Sequence, residues 1–173
     1  MKTHTLMKTH KLRIFSEFPA LSVYDSNNEL VDISIPSGDA EWQIVVVYRN
    51  NNCPICTSFL NKLAGYRQRL LDVGIDLAAV SAYGREQLEE HRTQLDVNFP
   101  MFYGLTIEQA KDLGLYISLP HAPHEGNHEF AEPGLFVINS EGLLREAFIA
   151  NSAFMRPDLD MLVSCLEYVR KNA

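Results

Sequence analysis

From Ile44 to Tyr48 every residue is apolar. Four polar residues, Arg49 to Asn52, follow, and then Cys53-Pro54-Ile55-Cys56 opens about sixteen residues of helical periodicity. An unbroken apolar run of this length suits a strand covered on both faces, as in a parallel sheet flanked by helices. The helix is marked by Phe59, Leu60, Leu63, Tyr66, Leu70 and Leu71, recurring at three- and four-residue steps, and it stops at Gly74. A buried strand that runs through a short turn straight into an amphipathic helix commits the chain to an α/β design. It also fixes where two sulfurs lie: in the first turn of a helix.

The remaining elements agree with that design. Phe18 to Tyr24, the turn formers Asp25 to Asn28, and the alternating Glu29 to Ile33 read as an N-terminal β-hairpin. Trp42 to Tyr48 is the buried strand and Ile75 to Val80 a second one, with Tyr48, Trp42 and Phe136 assigned to the core. Gly84 to Leu95 is a charged surface helix whose Glu86, Glu89, Glu90 and Arg92 form its wet face; Phe99 to Tyr103 is a short strand. Thr106 caps a helix to Leu113 that ends at Gly114, and a Pro- and His-rich loop spans 118–132. Leu135 to Asn139 and Leu143 to Ile149 form a hairpin around Ser140-Glu141-Gly142. Pro157 opens a last helix with Leu159, Leu162, Cys165, Leu166 and Val169 on its apolar face. The order β-β, β-α-β-α-β-α, β-β-α predicts a parallel core with antiparallel edge strands.

Composition removes several classes of function. The net charge is −7, and no basic stripe interleaved with aromatics marks a nucleic-acid or acidic-membrane partner. No apolar run approaches the roughly 20 residues of a membrane span, and the N-terminus lacks the apolar segment of a signal peptide. Three cysteines are too few for a disulfide framework and suit a reducing compartment, so a soluble, cytoplasmic protein is expected. Met-Lys-Thr-His occurs at residue 1 and again at residue 7, and residues 1–14 read as a mobile extension. No function attaches to His4 or His10.

The cysteine pair carries the chemistry. At a helix N-terminus, unpaired N–H groups and the positive end of the dipole favour a thiolate, the nucleophilic form of cysteine. A free thiol with pKa near 8.5 is only about 3% ionised at pH 7. Lowering the pKa to about 6 gives about 90% thiolate and requires roughly 3.4 kcal/mol. The helix end contributes about 0.3 to 2 kcal/mol, so a cation and hydrogen bonds must supply the rest. Arg49 is the nearest cation in sequence. Pro54 fits the first helical position because it has no N–H to leave unpaired there. The residues leave three readings of the pair open: redox chemistry, half of a metal site, or structural thiols. A closed zinc site needs four ligands, and no second CxxC supplies them. Cys165 is assigned to packing. His121, His124 and His128 lie in a segment broken by Pro120, Pro123 and Gly126, so a solvated loop is the first reading and metal binding the second.

Taken together, the buried strand, the CxxC opening a long helix, the following βαβ, Pro133, the closing hairpin and the last helix resemble the thioredoxin fold. The N-terminal hairpin, Tyr48-Arg49-Asn50-Asn51-Asn52-Cys53-Pro54-Ile55-Cys56 and Arg156-Pro157-Asp158 resemble the peroxiredoxin-like branch of the alkyl hydroperoxide reductase/thiol-specific antioxidant superfamily. The resemblance implies a thioredoxin-like domain over 15–173: a central mixed sheet flanked by helices, with the hairpin as an N-terminal extension. It places Cys56 at the peroxidatic position, with Cys53 standing where that family has a hydroxyl residue and Arg49 where it has a proline. The pair then also matches the thioredoxin arrangement, and which sulfur attacks first stays open. Arg156 is the second cation it suggests. Pro133 matches a proline that is cis in thioredoxin-fold proteins and faces the sulfurs, so Pro133 and Pro54 are the expected substrate-binding positions.

The function implied is a thiol-dependent oxidoreductase that reduces hydroperoxides or disulfides through Cys53 and Cys56. It would need no cofactor, an external thioredoxin- or glutathione-like thiol would regenerate it, and it would be able to form a homodimer. The alternatives are a thiol–disulfide exchanger without peroxidase activity, and a thioredoxin-fold module that binds zinc or a partner.

Overall fold

A computed structural model describes residues 12–123 and 126–172. Its central sheet has five strands in the order β5-β4-β3-β8-β9. β3 (Trp42–Val47) and β4 (Ile75–Val80) are parallel, and all six residues of each are buried. Their near-continuous apolar character arises because both faces are covered. β5 (Met101–Phe102) runs parallel to β4 on one edge. β8 (Gly134–Ile138) lies antiparallel to β3, and β9 (Leu144–Ile149) closes the other edge.

Alternation along β3 divides the interior into two cores. Ile44 and Val46 point to the side of Phe59, Leu60, Leu63, Leu70, Val163 and Leu166. Val45 and Val47 point to the side of Leu105, Leu113, Phe136 and Leu144. The N-terminal hairpin, β1 (Ser22–Tyr24) with β2 (Leu30–Asp32), is present as expected. Its Asp25 carboxylate accepts from the backbone N–H of Asn27 and Glu29, which fixes the turn. Tyr24 exchanges two backbone hydrogen bonds with Tyr103, tying the hairpin to the end of β5.

The helices agree with the sequence in position and differ in detail. The single helix expected from Pro54 and ending at Gly74 is two: α1 (Pro54–Ala64) and α2 (Arg67–Leu71). At the break the N–H groups of Gly65 and Tyr66 bond three residues back, to Lys62 and Leu63. Glycine weakens a helix interior, and the tightened turn ends the first segment there. The apolar spacing runs on because Leu70 of α2 reaches the same core. Gly74, with φ of 76°, terminates α2 in the left-handed conformation. α3 (Arg85–Arg92) exposes Glu86, Glu89, Glu90 and Arg92. α4 (Ile107–Asp112) begins with a reciprocal capping box between Thr106 and Gln109.

α5 (Leu159–Lys171) corrects two expectations. Asp158 caps it by accepting from the Met161 N–H at 2.8 Å, so Pro157 precedes the cap instead of opening the helix. Cys165 is exposed, not packed in the core. The buried stripe of α5 is Leu159, Val163 and Leu166, and at 100° per residue Cys165 falls on its flank.

Between β4 and β8 the chain adds a small pair, β6 (Ile117–Ser118) with β7 (Phe130–Ala131), which brackets the His-rich loop. The extension expected over 1–14 lies outside the described residues as far as residue 11, and with it His4 and His10; Leu12 packs against the second core. Among the described residues no helix is long and apolar enough to cross a membrane.

Gly134 opens β8 where space is least. A Cβ there would lie 2.5 Å from Leu115 Cδ2 and 3.0 Å from the Phe136 ring. Gly134→Ala is therefore expected to destabilise the fold by about 1–3 kcal/mol. Urea unfolding measures it, and an unchanged midpoint would contradict this packing.

Candidate active site

β3 ends beside Gly134, and the chain leaves it as Tyr48 to Asn52, at the carboxyl end of the parallel strands. Asn50 Oδ1 accepts from the Asn52 N–H at 2.9 Å, which turns the loop, and Asn51 Nδ2 donates to Glu90 of α3 at 2.9 Å. Cys53 then takes the N-cap of α1 with φ −110° and ψ 96°, and Pro54 takes the first helical position. The Cys53 sulfur accepts the Cys56 backbone N–H at 3.2 Å. No acidic residue occupies the first turn of α1, so no carboxylate opposes the positive end of the helix. Cys53 and Cys56 are joined as a disulfide with their Cα atoms 5.2 Å apart.

Both sulfurs lie in a largely dry setting: Cys53 is 5% exposed and Cys56 0%. Arg156 Nη2 donates to Cys56 Sγ at 3.1 Å, and its Nε donates to the Ala153 carbonyl at 2.9 Å. Its guanidinium carbon sits 4.9 Å from the centre of the Phe59 ring. Burial pushes Arg156 down to about 10; the Arg49 charge acts in the same direction and Glu132 opposes them. At neutral pH it remains a cation.

Arg49 stands behind this group. Its Nε is 3.4 Å from Glu132 Oε2 and its guanidinium lies over Phe130 at 4.7 Å. Glu132 is itself buried and takes the Ser118 hydroxyl on its other oxygen at 2.7 Å. Arg156 touches Cys56, Arg49 lines the cleft at Cys53, and Glu132 pairs with Arg49, so two cations against one carboxylate leave a net positive charge on this side of the pair that favours a thiolate.

A cleft of about 170 Å³ opens onto Cys53, lined also by Arg49, Asn52, Pro54 and the exposed Phe154. Ile55 separates it from a wider groove of about 570 Å³ that runs past Tyr66 and Lys62 to Arg156.

The sequence profile described as the AhpC/TSA family matches residues 14–147. The chain belongs to the AhpC/TSA family. As a member it is a thiol-dependent oxidoreductase of the antioxidant, peroxiredoxin-like kind, with a thioredoxin-like fold. Among curated proteins none matches this AhpC/TSA chain significantly. Similar solved structures include a peroxiredoxin-like protein from Aquifex aeolicus. It has 13% identity and a TM-score of 0.72, and the match covers 92% of this chain and 88% of that one. A mutant of peroxiredoxin 6 from Arenicola marina has 14% identity and a TM-score of 0.75, covering 92% and 74%. The mitochondrial 2-Cys peroxiredoxin from Plasmodium falciparum has 15% identity and a TM-score of 0.65, covering 92% and 93%. At these identities the likeness is one of fold.

Of the residues expected at the site, the structure brings together Cys53, Cys56, Pro54, Arg49 and Arg156. Pro133 differs from its expectation. Its peptide bond is trans, since the described residues of this AhpC/TSA chain contain no cis bond. It is buried, and its carbonyl accepts the Ala150 N–H at 2.9 Å. The β8–β9 ladder extends one step past the Gly134–Ile149 pair, so this carbonyl is used inside the fold and is not offered to a substrate strand.

Of the histidine run, His121 and His128 are among the described residues. His128 packs on Tyr83 at 4.1 Å, His121 is exposed, and His124 lies outside the described residues. Among the described residues no three His, Cys, Asp or Glu side chains converge as metal ligands would.

Sequence reasoning missed two residues. Glu132 was legible only as a lone charge in the apolar stretch Phe130-Ala131-Glu132-Pro133-Gly134. His91 lies three residues after Leu88, on the single buried face of a helix that is otherwise charged.

His91 is fully buried, and that burial lowers its pKa from 6.5 to about 4. The unfolded chain then binds a proton on this ring before the folded chain does. The associated stability is whole above pH 6.5, falls as pH drops toward 4, and levels off below that. Discounted for solvent screening, the loss is on the order of 2 kcal/mol. Denaturant unfolding between pH 7 and pH 4 is expected to show a steeper acid loss for wild type than for His91→Gln; equal slopes would contradict the assignment.

Proposed function

We propose that this chain reduces hydroperoxides, with Cys56 as the attacking thiolate and Cys53 as the resolving thiol. The observation carrying this reading is the Arg156 guanidinium held 3.1 Å from Cys56 Sγ at a buried site. A buried cation there stabilises the thiolate far more than it would in water. The Cys56 thiolate attacks the terminal peroxide oxygen; the O–O bond breaks, sulfenic acid forms, and the alcohol leaves after taking a proton. The Cys53 thiol then attacks that sulfur, water departs and the disulfide closes.

An external thiol, protein-borne or glutathione-like, returns two electrons. It meets Cys53 first, because Cys53 lines the open cleft and Cys56 does not. Cys56 leaves as the thiolate, which Arg156 again stabilises, and a second thiol releases Cys53. Arg49 and Glu132 hold the charge arrangement behind Arg156, and Pro54 forms part of the cleft wall. With three cysteines in the chain, a reducing compartment such as the cytoplasm suits this cycle.

The exposure of the cleft at Cys53 favours a second reading, in which Cys53 attacks disulfide substrates directly. Peroxide consumption driven by dithiothreitol, measured beside insulin reduction, separates the two. Turnover of peroxide without insulin reduction is the result expected; insulin reduction with no peroxide loss would overturn the first reading in favour of the second.

A further inference from the structure

α3 grips the CxxC segment at two points. Glu90 takes the Asn51 amide of the loop that leads to Cys53. The next residue, His91, is 0% exposed and places Nε2 at 2.8 Å from the Thr57 hydroxyl, the residue directly after Cys56. Thr57 Oγ1 in turn lies 3.3 Å from the Cys53 carbonyl, which also accepts the Thr57 N–H at 3.0 Å. The imidazole is wedged against Tyr48, with ring centres 5.4 Å apart. Among the described residues its Nδ1 has no hydrogen-bond partner.

That unpartnered nitrogen decides the direction of the relay. A proton on Nδ1 would bury an N–H with no acceptor, which folded proteins rarely tolerate, whereas an unpaired acceptor nitrogen is tolerated more often. The proton therefore belongs on Nε2. Nε2–H donates to Thr57 Oγ1, and the Thr57 hydroxyl donates to the Cys53 carbonyl. Such a chain is directional, and each bond polarises the next. Its end point is the backbone of the N-cap residue whose sulfur accepts the Cys56 N–H.

We infer that His91 is a positioning residue for the redox pair, acting through Thr57 to hold the Cys53 backbone at the geometry in which the two sulfurs meet. The inference rests on Cys53 and Cys56 being the redox pair. It concerns the equilibrium of that pair, in which the disulfide and two glutathione thiols become the dithiol and one glutathione disulfide. Holding Cys53 raises the effective concentration of one sulfur at the other and so favours the disulfide.

The test equilibrates the full chain in buffers of reduced and oxidised glutathione and reads the dithiol fraction by alkylation and mass. His91→Leu and Thr57→Val are each expected to move the equilibrium toward the dithiol by about fivefold, the scale of one hydrogen bond. The double variant should move no further than either single one, and His91→Gln, whose amide can still donate, should stay within about twofold of wild type. Thr57→Val preserves shape, so it remains informative if His91→Leu folds poorly. Unchanged equilibria, additive shifts in the double variant, or a glutamine as damaging as leucine would each overturn the inference. A role in packing alone would destabilise the oxidised and reduced chains alike and leave the equilibrium where it was. The measurement needs no peroxide turnover, so a wild-type chain inert toward peroxide would count against the proposed function and not against this relay.

Discussion

Cys56→Ser is expected to lower peroxide turnover by at least about a thousandfold, because it removes the atom to which oxygen is transferred. The substitution is nearly isosteric and sits at a fully buried position, so circular dichroism should show the fold retained. Cys53→Ser is expected to behave differently. Its Cys56 thiolate keeps the Arg156 contact and can still react once, but no internal thiol can close the disulfide. The chain should consume one equivalent of hydroperoxide, accumulate sulfenic acid that dimedone traps, and then stall. If the roles were reversed, the serine at position 56 would give the single turnover and the dimedone adduct would lie on Cys53. The two variants together assign the attacking sulfur, which the spacing of a CxxC leaves undecided.

The second large effect belongs to Arg156. A hydrogen bond from a charged donor to a charged acceptor contributes about 1.5–3 kcal/mol, equivalent to roughly one to two pKa units on the thiol. Arg156→Met, which keeps the stem against Phe59 and deletes the cation, should raise the Cys56 alkylation midpoint by about that much. Peroxide turnover at pH 7 should fall about two- to tenfold through loss of thiolate and recover as pH is raised toward 9. Arg156→Lys should recover only part of the loss, since an ammonium cannot reproduce the planar fork that reaches both Cys56 Sγ and the Ala153 carbonyl. A midpoint unmoved in Arg156→Met would show that the Arg156 cation does not set the acidity of Cys56.

Much of the fold could be read from residues because local pattern and tertiary environment agree there. β3 is apolar apart from Gln43 and is buried throughout; Gly74 and Gly114 stop helices where a left-handed residue is needed. The redox pair was legible for the same reason, since a cap position before Pro54 is defined by its neighbours in sequence. What stayed open or was missed depended mostly on contacts across the sheet. That Arg156 reaches Cys56 while Arg49 lines the cleft at Cys53 follows from the loop after β3 and the loop before α5 converging, and no spacing between residues so far apart reports that. Glu132 looks like a loop carboxylate until Arg49 is seen beside it, and His91 like part of a solvated helix until α3 packs on α1. Pro133 was misread because a template supplied its geometry, whereas the ladder between β8 and β9 claims its carbonyl. Cys165 was misread by a single step around the circumference of α5.

Peroxide reduction by this chain requires Cys56 and Cys53 to give two electrons to a hydroperoxide within one molecule. Fully reduced protein, mixed anaerobically with one equivalent of hydroperoxide and examined by intact mass and peptide mapping, tests this directly. The expected result is the loss of two hydrogens and a Cys53–Cys56 link, with Cys165 still alkylatable. A chain that keeps its reduced mass at millimolar peroxide, or that gains oxygen on Cys165 while Cys53 and Cys56 remain free thiols, would contradict it.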